Sequence, residues 1–191
     1  MVDYRKKQKK KLSDAYINTR NWYVIHTKPR NEQKVTDFVK KKNIEVYLPL
    51  VQTIRQWSDR KKKLMIPLFP NYVFINATET ERRIAIQDNN GALKYIFYQK
   101  RPAVISPKEI DNIKISLKAP ERVRIEDYKK FQYEKGDYVK VTDGMFCGLT
   151  GYVTQIRGNF KIIIDIVEIS TALSLELRAD EVKLIQKITN A

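Results

Sequence analysis

KGDYVKVTDGMFCGLTGYVTQIRGN, residues 135–159, holds five of the chain's six glycines, at 136, 144, 148, 151 and 158. Its opening alternates: Tyr138-Val139-Lys140-Val141 has the period of two that marks a half-buried strand. Asp143-Gly144 is a turn pair. Gly148 and Gly151 flank a tight loop in which side chains are unwelcome and positive φ is expected. Val153 and Ile156 then open a second strand, which turns at Gly158-Asn159. A strand, a glycine-punctuated loop and a second strand form the core of a small β-barrel that presents its loops to a partner. Cys147, the single cysteine of the chain, lies in this loop. It excludes an intrachain disulfide and reads as a tolerated small residue rather than a redox or metal group.

Working outward, the barrel fills residues 133–187, with later strands over 160–168, 173–178 and 181–185 and a short tail at 188–191. Residues 118–132 are charged, lack a clean period and read as a linker. Upstream, residues 21–117 have the pattern of a folded α+β domain. Trp22–Thr27 is a buried strand. Arg30–Lys42 is a helix with Val35, Phe38 and Val39 inward and Lys40-Lys41-Lys42 at the C-terminal end, where the macrodipole favours cations. Glu45–Trp57 gives two strand pieces split near Pro49, and residues 58–63 form a basic hairpin tip. Leu64–Ile66 returns, Pro67-Leu68-Phe69-Pro70-Asn71 is a stiff turn, and Tyr72–Ile75 is a strand. Thr78 and Glu81 make a capping box for a helix to about Asp88, ended at Asn90-Gly91. Leu93–Tyr98 is a strand. Ser106-Pro107-Lys108-Glu109 starts another capped helix with proline first. Before residue 21 lies a basic arm, with six cations in the seven residues 5–11 and nothing to bury, read as disordered.

The chain of 191 residues carries a formal charge of +15, unevenly distributed. Residues 1–20 have 7 basic and 2 acidic side chains, residues 21–115 have 18 and 9, and residues 116–191 have 12 and 11. A basic N-terminal two-thirds fits contact with nucleic acid, and a near-neutral C-terminal third fits a protein partner. No apolar run approaches a bilayer span, and residues 1–20 lack the apolar core of a signal peptide, so a cytoplasmic protein without membrane contact is expected.

An opening W-Y-V at 22–24, P-L-F-P-N-Y-V-F at 67–74, S-P-K-E-I at 106–110 and the glycine-rich C-terminal motif, in that order, resemble the NusG family of transcription elongation factors. These join an NGN domain to a KOW domain with an SH3-like barrel. The chain looks closest to the specialised, operon-specific RfaH and UpxY type. The resemblance implies that the NGN domain binds the clamp helices of RNA polymerase through Tyr72, Phe74 and Tyr95, with His26 and Ile96 at the edge. It implies a contact with the opposite polymerase lobe at Arg82, Arg83 and Ile84, where this chain departs from the His-Thr-Thr-Thr run of RfaH. Non-template DNA and nascent RNA would be met by Lys28, Arg30, Lys34, Lys41, Arg60, Lys61 and Lys62, each neutralised duplex phosphate steepening the salt dependence by about 0.9. The KOW residues are Gly136, Asp137, Val139, Gly144, Phe146, Gly148 and Gly151. Where general NusG proteins carry Phe-Gly-Arg, this chain has Ile166-Val167-Glu168-Ile169-Ser170-Thr171-Ala172. That departure argues against Rho and ordinary ribosome coupling and for antitermination, and leaves the KOW partner open, a ribosomal protein being one candidate. Suppressed pausing on long operons, such as surface-polysaccharide loci, and a monomeric state are what the resemblance implies.

His26 has no cysteine beside it, and the chain holds no P-loop, no dinucleotide fingerprint and no Cys/His set with metal spacing. Neither catalysis, a cofactor nor a metal is expected. Two other readings fit the barrel and the charge: a general NusG factor, and a KOW-containing ribosomal or RNA-binding structural protein, the latter leaving the ordered 67–74 segment unexplained.

Overall fold

Asn21–Thr27 forms β1, apolar on both faces, and the first half of the molecule is arranged around it. The computed structural model describes residues 18–56, 61–127, 137–156, 159–177 and 185–187. The expected basic arm at 5–11, residues 58–60 of the expected hairpin tip and Gly136 lie outside the described residues, while the rest of that tip, Lys61–Lys63, belongs to a strand. After β1 come helix α1 (Glu32–Lys41), β2 (Glu45–Tyr47), β3 (Leu50–Gln56), β4 (Lys61–Pro67), β5 (Tyr72–Ala77) and helix α2 (Glu79–Ile86). They are followed by β6 (Ala92–Tyr95), β7 (Phe97–Tyr98), β8 (Arg101–Pro102), β9 (Val104–Ile105) and helix α3 (Pro107–Ser116). The last strands are β10 (Val123–Asp127), β11 (Tyr138–Val141), β12 (Thr150–Ile156), β13 (Asn159–Ile166), β14 (Thr171–Leu177) and β15 (Ile185–Lys187). The chain divides into two compact units, residues 1–48 with 69–105 and residues 49–68 with 106–191.

In the first unit an antiparallel sheet runs β2-β5-β1-β6, with β9 also paired to β1. Tyr23, Ile25, Val73, Ile75 and Ala77 bury one sheet face with Val35 and Val39 of α1 and Ala85 of α2. Each of the valine and isoleucine side chains contributes roughly 1.5–3 kcal/mol when fully removed from water. Spacing at i and i+4 puts Val35 and Val39 on one stripe of α1. α2 opens on the Thr78–Glu81 capping box, with side chain and backbone bonded reciprocally. β6 stops at Tyr95, and the expected single strand 93–98 breaks at Ile96, whose N–H bonds the Val24 carbonyl at 2.9 Å.

In the second unit six strands form an antiparallel sheet ordered β10-β14-β13-β12-β11-β15. β3 and β4 make a separate hairpin. The isoleucine run 162–164 lies in β13, and all three side chains are buried, as a strand with neighbours on both edges and cover on both faces requires. α3 starts on the Ser106–Glu109 capping box with Pro107 in its first turn. Part of the expected linker is ordered: β10 pairs along β14 from Val123↔Leu175 to Asp127↔Thr171. β10 is an edge strand only five residues long, with Ile125 exposed, so its Val-Arg-Ile-Glu alternation is a short signal set in charged sequence.

Candidate functional site

Strand register decides which of the expected binding residues meet. β1 and β5 pair His26 with Tyr72, Val24 with Phe74 and Trp22 with Asn76, so these side chains share the sheet face opposite the helices. The turn before β5 is fixed from two sides. The Thr27 N–H bonds the Asn71 carbonyl at 2.8 Å, and the buried Glu32 carboxylate accepts the Asn71 N–H at 2.8 Å. Asn71 itself sits at φ 66°, a left-handed conformation that asparagine tolerates. This holds Tyr72 beside His26, ring centroids 5.7 Å apart, both half-buried. Phe74 shares the face but is fully buried, met edge-on by Phe69 at 5.6 Å and at a 40° tilt by Tyr47 at 6.4 Å. Burial pushes the Tyr47 phenol up to about 12.

Tyr95 departs from the expected patch. It pairs with Ile25, which puts it on the helix-covered face. There its ring meets Tyr23 at 6.1 Å and its hydroxyl donates to the Arg82 carbonyl. Burial raises its phenol pKa. Ile96 is half-buried. The structure thus joins His26 with Tyr72, encloses Phe74 beneath the same face, and sends Tyr95 to the core.

The three residues expected at the second protein contact also part company. Arg82 directs Nε and Nη2 to the two oxygens of Glu79 at 2.6 and 2.7 Å. Its guanidinium lies over the rings of Tyr95 at 5.1 Å and Tyr23 at 5.5 Å. Its side chain is only 17% exposed, and the Arg82 hydrogen bond holds the Glu79 carboxyl below its ordinary value. Arg83, with a side chain 75% exposed, and Ile84 face outward.

Lys28, Arg30, Lys34 and Lys41 are all exposed. They sit at the loop before α1 and along it; the loop is tied down where the Lys28 N–H bonds the Gly91 carbonyl at 2.8 Å. Arg60 lies outside the described residues, and Lys61 and Lys62 are described by their backbone in β4 alone. Sequence reading missed the short β7–β8 hairpin, which exposes Phe97 and Tyr98. Its tip, Gln99-Lys100, has none of the Gly or Asn that announces such a turn.

In the second unit the glycine motif is built as its residues demand, with one change of reason. Gly144 and Gly148 have φ of 76° and 91°. Gly151, expected at positive φ, is needed instead for close approach: a Cβ there would lie 2.5 Å from the Ile163 carbonyl oxygen. The Asp137 carbonyl accepts the Val153 N–H, while Val139 and Phe146 are buried. α3 is stitched to β12 by Asn112, whose carboxamide donates to the Thr150 carbonyl at 2.9 Å and accepts the Thr150 N–H at 3.0 Å. Beside this contact lies a cleft of about 510 Å³, lined among others by Lys108, Glu109, Tyr138, Tyr152 and Asp165. Lys108 Nζ stands 5.2 Å over the Tyr138 ring, and burial raises the pKa of the neighbouring Glu168. No group of three or more His, Cys, Asp or Glu side chains fit to hold a metal occurs among the described residues. No helix among them is long and apolar enough to cross a membrane.

The family described as "Transcription termination factor nusG" matches this chain over residues 20–114. Similar proteins include the "Transcription termination/antitermination protein NusG" of Rickettsia bellii, 26% identical over 86% of this chain and 90% of that protein. The protein of the same description from Thermus thermophilus is 27% identical over 81% of this chain and 94% of its own length. Among solved structures, "Domain interaction in Thermotoga maritima NusG" is 21% identical over 90% of this chain and 98% of that one, with a TM-score of 0.47.

Proposed function

The chain belongs to the NusG family, and from that premise we propose that it is a transcription elongation and antitermination factor acting on RNA polymerase. The observation that carries this reading is the sheet face on which Tyr72 stands beside His26, opposite the helix-covered core. A half-exposed aromatic held by a fixed turn is the residue type that anchors protein interfaces. In this reading Tyr72 and His26 meet the clamp helices, and Phe74 stiffens the face from beneath. Arg83 and Ile84 meet the opposite lobe, with Arg82 holding their helix to its sheet. Lys28, Arg30, Lys34 and Lys41, with the 60–62 hairpin, follow phosphates of the non-template strand or nascent RNA. The factor works as a cytoplasmic monomer of the specialised type, suppressing pausing and termination on long operons such as surface-polysaccharide loci. Without Phe-Gly-Arg, its second unit does not act through Rho.

The test is capture of purified bacterial RNA polymerase by the full chain, with and without excess isolated clamp helices. The expected result is capture that the clamp helices compete away and that Tyr72→Ala weakens about 10-fold or more, with its thermal transition retained. Capture indifferent to the competitor, or co-sedimentation with ribosomal subunits at high salt in place of capture, overturns the reading.

A further inference from the structure

We propose that the β7–β8 hairpin is a stacking finger for single-stranded DNA. Two rings stand clear of the fold here: Phe97 is 59% and Tyr98 41% exposed. They are not loosely placed. Gln99 and Lys100 both lie at positive φ, 49° and 64°, as a two-residue hairpin turn with the twist of its strands requires. Neither is glycine, so the turn holds backbone strain that persists only where the surrounding structure fixes it. Anchoring comes from the hairpin's foot, where the Ala103 N–H bonds the Ile96 carbonyl at 2.9 Å and the Ile96 N–H bonds Val24. Pairing sets Tyr98 opposite Arg101 and Phe97 opposite Pro102. The two rings therefore face opposite sides of the ribbon, with a guanidinium on the side of Tyr98.

The chemistry of this segment selects its partner. From Asn89 to Ile105 the chain carries Lys94, Lys100 and Arg101 and no carboxylate. Exposed rings flanked by cations suit a nucleic-acid strand, whose bases stack on the rings while its phosphates meet the cations. A duplex keeps its base faces stacked on one another, so the rings require a single strand. Apolar rings also suit the thymine methyl group. The inference deepens the nucleic-acid part of the proposed function and rests on that reading for the source of the strand.

The experiment is fluorescence anisotropy of the full chain with a labelled oligothymidylate, and with an oligouridylate and a short duplex as the other arms, without polymerase. Phe97→Ala with Tyr98→Ala is expected to weaken oligothymidylate binding about 10-fold or more, with the thermal transition and the salt slope kept. Lys100→Gln with Arg101→Gln is expected to flatten the salt slope by about 1.4. Oligothymidylate binding equal to the parent in the aromatic variant overturns the inference, and so does tighter binding of the RNA or the duplex. Polymerase capture by the aromatic variant separates this idea from the proposed function. Intact capture with lost DNA binding supports the finger. Lost capture with intact DNA binding assigns the rings to a protein contact and overturns it, leaving the polymerase reading in place.

Discussion

Tyr95 ends one strand and Phe97 begins the next, yet the two aromatic–arginine clusters they belong to are opposites. Around Tyr95, the Arg82 guanidinium lies over two tyrosine rings and is held by both oxygens of Glu79. Around Phe97, the rings are open to solvent and Arg101 stands opposite Tyr98 in a stretch without carboxylates. The composition is nearly the same in the two places. What differs is the carboxylate that neutralises one arginine and the sheet register that turns one set of rings into the core. Aromatic residues beside arginine therefore identify a surface only once the face and the counter-charge are known.

Four substitutions press on that contrast. Tyr95→Ala should cost about 3–5 kcal/mol of stability, as a large buried ring replaced by a methyl group does. A urea midpoint close to that of the parent would mean that Tyr95 belongs to the surface after all. Arg82→Ala should cost about 2 kcal/mol by removing charge-assisted hydrogen bonds from a mostly buried carboxylate. That loss should depend on pH. Because Glu79 ionises below its ordinary 4.5 in the folded chain, its contribution is present above that pH and fades as acid protonates it. Thermal transitions of the parent and Arg82→Ala should thus converge on acidification below 4.5; parallel curves would detach Arg82 from Glu79. The smallest effects belong to Phe97→Ala and Tyr98→Ala, each within about 0.5 kcal/mol of the parent in stability. A loss of several kcal/mol at either ring would make the hairpin a packing element and erase the contrast.

Much of the frame was legible in the chain. Both capping boxes, the 67–71 turn and the strand pair around the glycine motif follow from local rules, and each is present. The faces were harder to read. β5 alternates aromatic and aliphatic residues, but Val73, Phe74 and Ile75 are all buried, because Phe69 and Tyr47 close over Phe74 on the face where Tyr72 stays half-open, a cover that alternation along β5 does not reveal. The face of Tyr95 is set by its pairing with Ile25, a contact between strands distant in the chain that the residues 92–98 do not encode. Glu79 and Arg82 are spaced to pair along a helix, a signal that was available. That Arg82 rather than Arg83 turns inward depends on where Tyr23 and Tyr95 lie.

By itself the sequence determined most of the elements, both capping boxes, the glycine-marked turns, the basic first half and the family resemblance, since these depend on contacts a few residues apart and on summed charge. Tertiary structure decided which aromatics are core and which are surface, why Gly151 must be glycine, and that α3 is tied to β12 through Asn112. Each of those rests on the approach of segments distant in the chain, where one strand's register or one carbonyl 2.5 Å from a would-be Cβ settles what no local pattern carries.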